Sequence, residues 1–132
     1  MAKQGKNFKV SSIGNIQKLG RVTLNAELAL SGSEISVNEL PAGAGVPFVH
    51  AHKRNEEVYI VVKGKGVFYV DGEEFALGEG DAVRVDPSAA RSIAADAASP
   101  IRYICIQTEA KSLVQHTEND GVPVEAKTSW MK

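Results

Sequence analysis

Between Gly32 and Pro100 the chain is cut by turn residues at short intervals, and the segments between them are short and rich in β-branched and aromatic residues. That punctuation reads as a series of short strands rather than as helices. Glu34 to Asn38 alternates polar with apolar, the pattern of a half-buried strand. Glu57 to Val62 and Val67 to Val70 follow as two further strands. Asp71-Gly72, a pair favoured in two-residue hairpin turns, joins the second of these to Glu73 to Leu77. Gly78-Glu79-Gly80-Asp81 turns the chain into Ala82 to Val85, and Ile101 to Gln107 closes the set. Many short strands with Gly-rich turns imply an all-β fold, a sandwich or a barrel.

The two ends read differently. Val22 to Leu30 has apolar groups at strand spacing, but Asn25 to Ala29 favour helix, and Ser31-Gly32 is suited to end one. A short helix is the expectation there, within an otherwise irregular N-terminal segment. Ala89 to Ser99 is alanine-rich, which suggests tight packing or a weakly specified edge. The segment from Lys111 is polar as far as Val122 and ends in Trp130-Met131. It is expected as an extended tail that is loose or docks Trp130 on its own barrel or a partner's. With 132 residues the chain suits one domain, with its core at about 33–108 and a tail at 109–132.

Charge and cysteine content exclude several classes. Fifteen basic and 16 acidic residues nearly cancel, so neither nucleic acid nor an anionic membrane is an expected partner. Met1 to Lys9 is basic and polar with no apolar run behind it, unlike a signal peptide, and no segment has the length of a membrane span. Cys105 is the single cysteine and lies in the apolar run Ile104 to Ile106. It reads as a buried, reduced, structural thiol, and the compartment as the cytoplasm.

The chemistry is concentrated at His50-Ala51-His52, with Glu57 and then Gly64 beyond it. Alternate residues of a strand share a face, so His50 and His52 project the same way and a carboxylate on an adjacent strand completes a nitrogen/oxygen site. Two imidazoles and one carboxylate leave positions open on a metal, as catalysis requires. Alternation puts Glu57, Tyr59 and Val61 on one face and Glu56, Val58, Ile60 and Val62 on the other. Alternation alone leaves Glu56 and Glu57 both open as the ligand. Tyr59 lines a pocket or, more simply, packs in a core. Phe48 and Phe75 read as packing residues, His116 as a surface residue, and Lys63 and Lys65 as a solvated face.

The whole spacing resembles the cupin superfamily, small jelly-roll barrels with a metal or ligand site in the mouth. Gly45 to His52 and then Glu57 to Gly64 match the first cupin motif with one residue fewer between Gly45 and His50, and the likeness spans roughly residues 35–107. In the second motif, Gly80 survives, but Asp86 stands for the proline, with Pro87 following, Ser88 for a glycine, Arg91 for the third histidine and Ala95 for an asparagine. The resemblance implies a homodimer, a small-molecule ligand or substrate, and a site at His50, His52 and Glu57.

Replacement of the third histidine by Arg91 leaves three readings. In the first, the site holds iron, manganese, zinc or nickel, and Arg91 orients an anionic substrate group in a dioxygenase- or isomerase-like reaction. The second has no metal. Arg91 then pairs with Glu56 or Glu57, and the pocket serves as a non-catalytic sensor or carrier. In the third, the histidines are satisfied by hydrogen bonds and the barrel serves assembly.

Overall fold

The chain begins with two short strands, β1 (Lys3–Gln4) and β2 (Lys9–Val10), paired antiparallel, and a 3-10 turn at Ile16–Lys18. The computed structural model describes residues 3–18, 20–115 and 117–131, so His116 lies outside the described residues. There follow β3 (Arg21–Thr23), α1 (Asn25–Leu28), β4 (Glu34–Leu40), β5 (Asn55–Val70) and β6 (Glu73–Gly78). The rest are β7 (Ala82–Val85), β8 (Arg91–Ala95), β9 (Ile101–Glu109) and a single helical turn, α2 (Thr117–Asp120). None of the described helices is long and apolar enough to cross a membrane.

Strand β5 organises the molecule. The two strands expected over Glu57–Val62 and Val67–Val70 are one strand of 16 residues. Its first half lies between β9 and β7, in a layer ordered β3-β4-β9-β5-β7. Its second half lies between β6 and β8 in the facing layer. The change of layer falls at a register shift between Val61 and Lys63, followed by Gly64 at φ 80°. A Cβ at Gly64 would collide with the carbonyl of Pro100, and one at Gly66 with the carbonyl of Ala94. Only glycine lets β5 bend this close to its neighbours. The result is a mostly-β jelly-roll sandwich with few short helices.

The core lies between the layers. Tyr59, Val61, Phe68, Ile93, Ile101 and Tyr103 are buried, with the Tyr59 and Phe68 rings 4.9 Å apart and edge-to-face. Phe68 and Ile101 are fully buried, and each contributes about 1.5–3 kcal/mol by leaving water. The Asp71-Gly72 hairpin forms as expected, with both residues at positive φ (47° and 90°) and Val70 opposite Glu73.

The structure sharpens three local expectations. Helix α1 is confined to Asn25–Leu28 and ends at Ala29 in the left-handed region, ahead of Ser31-Gly32, while Val22 pairs with Val37 as strand. The Asn25 side chain holds Ser33 O and Ile35 N, so a tertiary clamp sets the helix limits where propensity could not. Of the two readings of the alanine-rich segment, tight packing holds: β8 pairs with β5 and buries Arg91, Ile93 and Ala95. Strand β4 is half-buried, but with its polar side inward: Ser36 and Asn38 are buried, whereas Ile35 and Val37 face the outside. The tail residue Trp130 is 76% exposed and is not docked on its own barrel.

Candidate metal centre

The inward polar face of β4 is the first sign that one end of the sandwich is built for a solute rather than for packing. Glu57, near the start of β5, is 2% exposed and points into that end, as alternation along the strand requires. Glu56 faces outward, 4.0 Å from Arg84. His50 and His52 lie on the loop before β5, which is stitched to the loop before β8. His50 and Arg91 exchange backbone hydrogen bonds (3.1 and 2.9 Å), and His52 N donates to Pro87 O at 2.8 Å. The two motif segments are thereby fixed against each other.

His50, His52 and Glu57 each present a donor atom within 4.8 Å of the others. His52 Nε2 is 3.2 Å from Glu57 Oε2, and His50 Nε2 is 3.8 Å from Oε1. Donors sharing one ion at bond lengths of about 2.1 Å sit roughly 3.0–3.5 Å apart, depending on the coordination angle. The His52 nitrogen is buried, and among the described residues it has no hydrogen-bond partner. Buried polar atoms without partners are rare, and an imidazole nitrogen this close to a carboxylate oxygen, with no hydrogen bond between them, suits a shared cation. His50 Nδ1 is likewise buried and unpartnered. The donor set therefore fits a divalent transition metal.

The carboxylate is held from behind. Glu57 Oε1 accepts hydrogen bonds from Tyr59 Oη (2.7 Å) and Arg91 Nη1 (2.6 Å), and Cys105 Sγ donates to Oε2 at 3.5 Å. Burial pushes the Glu57 carboxyl up. The bonds from Tyr59 and Arg91, with the charges of His52 and Arg91, more than offset that and hold it below its ordinary value. It stays ionised, as a ligand must. Burial chiefly lowers the His50 pKa, aided by His52, Arg91 and Arg21 and opposed by Glu57, which favours the neutral, ligating imidazole. Burial, followed by the Glu57 charge, pushes Cys105 up to about 12, a value for an inert thiol.

Arg91 sits elsewhere than the mouth position expected for it. It is fully buried beneath Glu57. Nε donates to Ala89 O (3.0 Å), and Nη2 to Asp86 O (2.7 Å) and Pro87 O (3.0 Å). As the first residue of β8 it points inward, and its donors are engaged before any solute is reached. Of the two glutamates expected as its partner, Glu57 is the one it meets.

A cavity of about 350 Å3 opens over the cluster. Tyr59, Tyr103, Cys105 and Gln107 lie on one wall, and Val46, Phe48 and Ile93 line another part. Phe48, expected as a packing residue, is 59% exposed at the rim, its ring centroid 5.6 Å from that of His50. It lies in the loop ahead of the histidines, beyond the reach of the core. Phe75 is 40% exposed, against Phe68. Sequence reasoning also missed Arg21, which enters the cavity from β3. The signal was hidden because that segment reads partly as helix; only the pairing of Arg21 with Asn38 places it.

Comparison with known proteins agrees with this architecture. Residues 36–107 match the cupin domain family, and the chain belongs to it. A cupin protein from Bacteroides fragilis is 48% identical in sequence, with a TM-score of 0.85 covering 91% of this chain and 99% of that one. A protein of known structure from Thermotoga maritima, described as a predicted oxalate decarboxylase, shares the fold at 24% identity. Its TM-score is 0.54 over 58% of this chain and 65% of that one. An uncharacterized protein of Methanocaldococcus jannaschii is 27% identical over 66 residues. That stretch is 50% of this chain and spans only 52% of the curated relative.

Proposed function

We propose that this cupin binds one divalent transition metal (iron, manganese, zinc or nickel) through His50, His52 and Glu57, and uses it on a small polar or anionic metabolite, in dioxygenase- or isomerase-like chemistry. The observation that carries the reading is the buried, unpartnered Nε2 of His52 beside the Glu57 carboxylate. When bound, such an ion supplies Lewis-acid polarisation of a substrate oxygen. The protein's own part is to keep Glu57 ionised through Tyr59 and Arg91, to favour the neutral imidazole of His50 by burial, and to enclose the solute beneath Phe48. Arg91 then acts through Glu57 as a positioning residue.

One observation favours a second reading, in which the same cavity binds its ligand without metal. The Arg91 charge already neutralises Glu57 at 2.6 Å, leaving less net negative charge to attract a divalent ion. Elemental analysis of untagged protein separates the two. Near-stoichiometric transition metal that disappears in His50→Ala supports the metal reading. Metal-free protein that also refuses added iron, manganese, nickel and zinc supports the second.

The protein is further proposed to act as a homodimer in the cytoplasm. Across the outer face of the β3-β4-β9-β5 layer, Val22, Val37, Ile104 and Ile60 form one apolar row, and Ile35, Ile106 and Val58 another. Leu113, Val114, Val122, Val124 and Trp130 of the tail stand exposed. Two apolar features on one chain, neither covering the other, suit a second copy. A buried, unpaired Cys105 fits a reducing compartment.

A further inference from the structure

Among the described residues, Arg21 differs from Arg84, Arg91 and Arg102 in having no carboxylate partner, and unlike Arg54 it lines the cavity. Arg91 is paired with Glu57 and makes three further hydrogen bonds to carbonyls, Arg102 pairs with Glu39 at 3.1 Å, and Arg84 is held by Asp86. Arg21 has no carboxylate within 4.0 Å among the described residues. Its one hydrogen bond through the side chain, Nη1 to Asn38 Oδ1, is long at 3.4 Å. A guanidinium has five donors in a planar fork, so most of its capacity is free.

The register of β3 decides where that capacity is directed. Arg21 stands opposite Asn38, and Asn38 stands opposite Tyr103; directly paired residues share a face. Asn38 and Tyr103 are both buried on the cavity side, so Arg21 is on that side too, and it lines the same cavity as the histidines. Asn38 is itself oriented by a 3.0 Å bond from its amide to Ser36 Oγ, which leaves its carbonyl oxygen turned to the guanidinium. Among the described residues the only carboxylate lining the cavity is Glu57, whose charge Arg91 already balances. Without an ion the uncompensated charge of the cavity is therefore the positive one on Arg21, and a bound divalent ion would add to that positive charge rather than cancel it.

We infer that Arg21 is the anion-binding residue of the cavity, and that its ligand is a small organic acid with one carboxylate on the Arg21 fork and its remaining polar end towards His50, His52 and Glu57. A single planar fork suits a carboxylate, which accepts two parallel bonds from it. The apolar wall of Val46, Phe48 and Ile93 suits a short carbon skeleton, and about 350 Å3 limits the ligand to a small one. The inference deepens the proposed function, since it rests on the cavity holding a metabolite, but Arg21 does not depend on the metal.

Malonate and its uncharged analogue malonamide are the probes, titrated calorimetrically into untagged wild type, Arg21→Gln and Arg21→Lys, with metal content measured on the same preparations. Wild type should bind malonate and not malonamide. Arg21→Gln should weaken malonate by about tenfold or more, and Arg21→Lys by less. Because Arg21 is exposed on a short strand, both variants should melt near wild type, which separates lost binding from lost folding. Equal malonate affinity in Arg21→Gln, equal affinity for malonamide, or no binding of malonate by wild type would each overturn the inference. Metal-free protein that refuses added iron, manganese, nickel and zinc, yet still loses malonate in Arg21→Gln, would remove the metal reading while leaving Arg21 in place.

Discussion

Replacing Arg91 by methionine keeps the bulk of the side chain and removes its charge and donors. The side chain is fully buried and makes four hydrogen bonds, one to Glu57 and three to the carbonyls of Asp86, Pro87 and Ala89. Breaking a buried ion pair by removing one partner costs about 3–5 kcal/mol, because the other charge is left uncompensated. Water recovers part of the loss at the carbonyls, since Asp86 is exposed and Pro87 and Ala89 are only half-buried. A net loss of about 4 kcal/mol follows, equivalent to a fall in Tm of about 14 °C for a chain of 132 residues. Urea unfolding of chelator-treated protein should show a lower midpoint at unchanged slope.

The loss should also depend on pH, with a sign set by Glu57. Its carboxyl is held below the ordinary value of 4.5 in the folded protein. Its contribution is therefore fully present above 4.5 and is lost as pH falls through the lower folded value. Methionine removes one of the causes of that depression. The gap between wild type and Arg91→Met should be widest near neutrality and should narrow as pH falls below 4.5. A loss under about 1 kcal/mol, the scale of a surface ion pair, would refute the reasoning, as would a gap that does not change with pH.

Other consequences are open to direct measurement. Native Cys105, with its thiol pushed up to about 12, should not react with a disulfide reagent at mildly alkaline pH, and should react once per chain in urea. Gly64→Ala should destabilise by about 3 kcal/mol or more, because positive φ is compounded by collision with the Pro100 carbonyl. Gly72→Ala, also at positive φ but in open space, should lose only about 1–2 kcal/mol in the same denaturant series. Truncation after Ala110 should reduce the mass seen by light scattering from two chains to one. An unchanged mass would take the tail out of the interface.

The all-β barrel and the grouping of His50, His52 and Glu57 within it were both legible. His50, His52 and Glu57 were readable because spacing and alternation are local properties, and β5 keeps the two-residue period its sequence implies. The join between its two halves was not readable, because Gly64 and Gly66 look like turn residues until the Pro100 and Ala94 carbonyls are seen pressing on them. Strand β4 was found, but its buried side was not. In a barrel with a wet mouth, Ser36 and Asn38 go inward, and the alternating pattern cannot say which set faces the core. Arg91 and Arg21 were the least legible. Sequence puts Arg91 in a ligand's position and gives Arg21 no role, yet β8 turns the first beneath Glu57 and β3 brings the second to the cavity.

The most direct test is a cobalt(II) titration of untagged, metal-stripped protein, followed by visible absorption, for wild type and His52→Ala. The account predicts one ion per chain, with bands reporting nitrogen and oxygen donors, and affinity weakened by more than about a hundredfold when His52 is removed. Wild type that takes up no cobalt, or equal binding by His52→Ala, would contradict the assignment of His50, His52 and Glu57 as a metal centre.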